Sequence, residues 1–118
     1  MSLGKDLDKR LFQFSVDVIQ YLKGIEKSNH RKVITYQLLK SATSVGANYE
    51  EAQAASSRAD FRNKVLIALK EMRETNYWLR LLSAINEGAN KNILDELIRE
   101  SEQLKKILGS IGSKVTPK

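Results

Sequence analysis

A chain of 118 residues, 42% apolar and 29% charged, has room for one compact domain and too little for two. It has no cysteine and one histidine, which excludes disulfides, thiol catalysis, iron–sulfur clusters, thiolate zinc and any site needing two imidazoles from one chain. Twenty basic against fourteen acidic side chains give a net charge of +6, a sign that suits anionic partners. Met1 to Arg10 mix lysine with aspartate and lack the apolar core of a signal peptide. No apolar run approaches the ~18–20 residues of a membrane span. The expectation is a cytoplasmic protein without a membrane segment.

Apolar positions recur at alternating steps of four and three, which keeps them on one face of a helix. Leu7, Leu11, Phe14, Val18, Tyr21 and Ile25 form the first stripe, and Ser28-Asn29 supplies a stop and a cap for the next helix. The second stripe, Ile34, Leu38, Val45, Ala52 and Ala55, is interrupted by Ser41 and Asn48. Ala42, Gly46 and Ala47 thin this helix and predict close packing by a neighbour. Ser57-Arg58-Ala59-Asp60 has the form of a capping box. It opens a third helix whose stripe is Phe61, Val65, Ala68, Met72, Thr75, Leu79 and Leu82, ending near Asn86 before Gly88 and a cap at Asn90. The fourth stripe is Leu94, Leu97, Leu104, Leu108 and Ile111, broken by Ser101. From Gly109 onward glycine, serine and Pro117 dissolve the pattern. Short connections between long helices predict an all-α, up-down-up-down antiparallel four-helix bundle. It forms one domain over 5–112, with a disordered basic tail at 113–118.

Four groups of residues could carry chemistry. Gln37, Ser41, Ser44, Asn48 and Glu51 obey the core spacing, yet are polar. They form either a binding surface or, as preferred, an interhelical network of Ser41, Ser44, Asn48, Glu51, Glu71 and Glu74. Ser44, Asn48 and Glu51 are then expected to be buried against the third helix, with Asn48 bonded to Glu74. The glutamates 50, 51, 71 and 74 have no histidine beside them, so a di-iron site lacks ligands. A magnesium-dependent nuclease on Glu51, Glu71 and Glu74 is the enzymatic alternative. Trp78 shares a face with Ile67, Leu81 and Ile85, which suits core or interface packing, against a sharper reading as a base-stacking platform. His30 falls in a predicted turn and reads as an exposed loop residue. No phosphate loop, nucleophile–base pair or metal-ligand spacing is present, so no catalytic, metal or cofactor residue is assigned. The fourth group is the bases: Lys23, Lys27, Arg31 and Lys32 before the second helix, Arg58, Arg62 and Lys64 after it, and an acid-free run beyond Glu102.

The block Gln37-Leu38-Leu39-Lys40-Ser41-Ala42-Thr43-Ser44-Val45-Gly46-Ala47-Asn48-Tyr49-Glu50-Glu51-Ala52 carries a family resemblance. So do Ser57 to Phe61, Lys70-Glu71 with Glu74-Thr75, and Tyr77-Trp78-Leu79. Over about Phe12 to Leu82 the chain resembles the four-helix-bundle proteins encoded in 23S rRNA intervening sequences. It departs at Glu50, where many relatives carry a base. The resemblance implies a bacterial, cytoplasmic, cyclic homopentamer. The accessory proteins of diversity-generating retroelements are similar; they form basic barrels that bind a reverse transcriptase and nucleic acid.

The function expected is non-enzymatic binding of nucleic acid, structured RNA such as rRNA, by an oligomer. Phosphates would be contacted by Lys23, Lys27, Arg31, Lys32, Arg58, Arg62 and Lys64. The alternative is a scaffold or accessory subunit that docks a partner protein such as a nucleic-acid enzyme.

Overall fold

A computed structural model describes residues 6–26, 28–85 and 90–115. Among them the chain is all-helical: α1 Leu7–Lys23, α2 Asn29–Gln53, α3 Arg58–Ala84 and α4 Lys91–Lys114. Each helix packs against two others, α1 on α2, α2 on α3, α3 on α4 and α4 back on α1, which is the packing of a bundle. The molecule is elongated, 48 × 27 × 20 Å. No helix of the described residues is long and apolar enough to cross a membrane.

The stripes point inward. All six residues of the first are buried, as are Val65, Ala68, Met72, Leu79 and Leu82 of α3 and Leu94, Leu97, Leu104 and Leu108 of α4. Phe61, Ile111 and Trp78 are half-buried against this core.

The helix starts follow the caps. Ser28 accepts from the Arg31 N–H at 3.3 Å, and Asn90 accepts from the Ile93 N–H at 3.3 Å. At α3, Ser57 accepts from the Asp60 N–H at 3.0 Å. The returning bond reaches one residue further back than a capping box requires: the Asp60 carboxylate accepts from the Ser56 N–H at 3.1 Å. That bond, followed by Lys64, holds the Asp60 carboxyl below its ordinary value of 3.8. A depressed native pKa means the cap's contribution is fully present above the ordinary value and is lost as pH falls through the lower one. Thermal melts of wild type and Asp60→Asn should therefore differ at neutral pH and converge as pH drops below 3.8. The third helix ends at Ala84 with Ile85 as its cap; the expected stop at Asn86 to Gly88 lies outside the described residues.

α4 departs from expectation. It continues through Gly109 and Gly112 to Lys114, so residues 113 and 114 of the expected tail are helical. Residues 116–118 lie outside the described set. The reason is tertiary: Gly112 is buried against Leu66, and its carbonyl accepts from Arg62 Nε at 3.1 Å. Contact with α3 offsets the weak helix propensity of glycine.

The glycines also separate by environment. A Cβ on Gly46 would meet Leu11 at 3.8 Å, an ordinary contact, so α1 and α2 leave room for a methyl there. One on Gly109 would meet nothing within 4 Å, whereas one on Gly112 would lie 3.0 Å from Leu66 Cδ2. Gly46→Ala and Gly109→Ala should each raise stability by roughly 0.5–1 kcal/mol through helix propensity. Gly112→Ala should gain nothing, because Leu66 must shift. Urea midpoints of the three variants check this ordering.

Candidate nucleic-acid interface

The bundle divides the candidate bases between its two ends. Lys23 closes α1 and Arg31 and Lys32 open α2, whereas Arg58 opens α3 at the far end of α2. The 25 residues of α2 span roughly 37 Å at about 1.5 Å per residue. The six described bases are therefore two groups and not one patch. Lys27 lies outside the described residues.

Several of these bases have structural partners. Arg31 is half-buried and donates to the Glu26 carbonyl at 3.1 Å. Arg62 holds the Gly112 carbonyl, and Lys64 pairs with Asp60 at 3.3 Å. Lys23, Lys32 and Arg58 are exposed.

At the α3 end, Arg58, Phe61, Lys114 and Val115 line an open cavity of about 360 Å³. Two cations thus flank a half-buried aromatic ring. Cations beside an aromatic surface can hold a phosphate and stack a base. Spacing alone missed Lys114 as a member of this group. Its signal was the acid-free run after Glu102, which becomes meaningful once α4 remains helical and brings Lys114 to Arg58.

The polar stripe of α2 is not the expected network. Ser44 donates to the Lys40 carbonyl at 2.7 Å, and Asn48 Nδ2 donates to the Ser44 carbonyl at 2.8 Å. Both are half-buried, and Glu51 is exposed. Asn48 does not bond Glu74, which instead accepts from Trp78 Nε1 at 3.2 Å. The physical reason is angular: these residues lie toward the outer edge of α2, where their own helix offers the nearer acceptors. Glu71 takes part through its backbone, its carbonyl accepting from Thr75 Oγ1 at 2.8 Å. Ser41 alone of the stripe is buried, and its Oγ accepts from Thr75 Oγ1 at 2.9 Å.

A second buried polar group joins α3 to α4. Asn76 Nδ2 donates to Ser101 Oγ and to Glu102 Oε1, each at 2.9 Å, while Asn76 Oδ1 accepts from Arg80 Nε at 2.8 Å. Ser101, which breaks the apolar stripe of α4, was its trace in the sequence.

Trp78 meets Tyr77 edge-on at 5.0 Å and packs against the core. This is the packing role. His30, expected in a loop, is the exposed second residue of α2. Among the described residues no three His, Asp or Glu side chains are grouped so as to hold a metal.

These features have counterparts in known proteins. The solved structure of a protein of unknown function from the S23 ribosomal protein family of Bacteroides thetaiotaomicron superposes with a TM-score of 0.82 at 36% identity. The match covers 95% of this chain and 99% of that one. No curated protein matches. The family model described as 23S rRNA-intervening sequence protein matches residues 6–110. With nearly the whole described bundle inside that match, the chain belongs to the 23S rRNA-intervening sequence protein family.

Proposed function

We propose that the protein is a non-enzymatic module that binds structured RNA through the basic end of the bundle. The observation that carries this reading is the cavity where Arg58 and Lys114 flank Phe61. Phosphate contacts by these cations supply affinity with little sequence discrimination, and Phe61 offers a ring edge to an unstacked base.

The same reading has the chain as an up-down-up-down bundle that assembles into a ring, taken as a homopentamer. Residue pairs support the topology: Ser15 donates to the Ala42 carbonyl while Leu11 faces Gly46, so residue numbers rise on one helix as they fall on the other. Exposed apolar side chains support assembly. Phe12 and Ile19 of α1 and Tyr36 and Leu39 of α2 remain uncovered, with Phe12 at 70% and Tyr36 at 61% exposure. A ring would repeat the basic end once per subunit and multiply its field.

Two measurements test this. Mass in solution should exceed one chain and fall to that of a monomer in Phe12→Glu/Tyr36→Glu. Gel shift of a hairpin RNA should occur at low salt, weaken steeply as salt rises, and be lost in Arg58→Glu/Lys114→Glu. If the charge-reversed protein binds as well as wild type, the assignment to this end fails.

A further inference from the structure

The bundle's α1–α4 seam differs in character from its basic end. A cavity of about 490 Å³ opens there, within the size range of small-molecule sites. Its apolar wall is Phe14, Tyr21, Ile93 and Leu97, and none of the candidate phosphate-binding bases lines it. Its charged residues are Asp17, Glu96, Glu100 and Arg10. Arg10 is committed to Glu100 through two bonds of 2.8 Å, which leaves Asp17 and Glu96 without a cationic partner among the described residues. On a chain of net charge +6, this groove is locally acidic.

The second observation is the hydroxyl of Tyr21. This side chain is 5% exposed, and its Oη is the buried side-chain polar atom that has no hydrogen-bond partner among the described residues. Buried hydroxyls are satisfied in the great majority of folded proteins, and an exception asks for a missing partner. Burial pushes the Tyr21 phenol above its ordinary pKa, so it stays protonated and can both donate and accept. A guest in the groove that carries polar hydrogens can supply the missing partner.

We propose that the α1–α4 groove binds a small organic amine: an ammonium group held by Asp17 and Glu96, on an apolar body packed against Phe14, Tyr21 and Leu97. Charge complementarity selects the cation, since Asp17 and Glu96 repel an acid and gain little from an alcohol. The apolar wall selects a body of ring size over a bare ammonium ion. The site is independent of the RNA-binding end and shares no residue with it.

Three isosteric probes test the proposal on the full-length protein by calorimetry: phenethylamine, phenethyl alcohol and phenylacetate. The amine should bind saturably, at least tenfold more tightly than the alcohol, and the acid should not bind. Asp17→Asn/Glu96→Gln should weaken the amine by tenfold or more and leave the alcohol unchanged. Tyr21→Phe should weaken the amine severalfold while its melting temperature stays equal to or above that of wild type, because an unsatisfied hydroxyl has been removed. No saturable binding of the amine overturns the proposal, as does equal binding of all three probes to wild type. Unchanged amine affinity in either variant also overturns it. The comparison of probes on wild type alone stands even if a variant fails to fold.

Discussion

Met72→Ala is expected to destabilise the bundle by about 2–5 kcal/mol, while Met72→Leu costs less than about 1.5 kcal/mol. Met72 is 0% exposed and sits on α3, the helix that packs against both α2 and α4. Truncation removes apolar contacts and leaves a cavity that three helices cannot all close at once. Leucine restores most of the volume. Urea unfolding at one fixed protein concentration measures both variants, since self-association makes apparent stability depend on concentration. A loss below about 1 kcal/mol for the alanine variant would mean that α3 is not central to the core.

Asn76→Ala should cost roughly 2–3 kcal/mol, a large effect for a residue that adds little to the apolar core. Asn76 is 2% exposed, and its side chain serves two partners on α4 and Arg80 on its own helix. Removing it leaves the Glu102 carboxylate oxygen without a buried donor and the Arg80 Nε without its acceptor. Ser101 suffers less, because its hydroxyl still donates to the Ile98 carbonyl at 2.7 Å. The double variant Asn76→Ala/Ser101→Ala should therefore cost less than the two single losses added together. A double-mutant cycle in urea reads that coupling; strict additivity would show the two side chains to be energetically independent.

The residues explain why some of the fold was legible and some was not. Leucines at steps of three and four have one way to be buried together, so Leu7 to Ile25 and Leu94 to Leu108 declared their faces. The polar stripe of α2 obeyed the same spacing, but periodicity gives a shared face without saying how deep that face lies. Ser41 falls on the inner side and meets Thr75, while Ser44 and Asn48 fall further round and bond their own backbone. α3 hid more because it touches two helices. Thr75 and Asn76 are neighbours in sequence, about 100° apart around the helix. One side chain meets α2 and the other α4, so a single stripe could not contain both.

The end of α4 shows a second limit. Gly109 and Gly112 read locally as a stop, and only contact with Leu66 and Arg62 makes the helix continue. That continuation delivers Lys114 to the cavity of Arg58 and Phe61. The candidate site thus depends on a tertiary contact, and the list of bases in the sequence contained its parts without their grouping. Lys23, Arg31 and Lys32, which the same list grouped with Arg58, lie at the other end of α2.

Ultraviolet cross-linking of the assembled protein to a structured RNA, followed by mass spectrometry of the peptides, tests the RNA-binding reading most directly. The account predicts cross-links concentrated at Phe61 and in the peptides carrying Arg58 and Lys114, and lost at high salt. Cross-links confined to the α1–α2 end around Lys23 and Lys32, or to the α1–α4 groove, would contradict it.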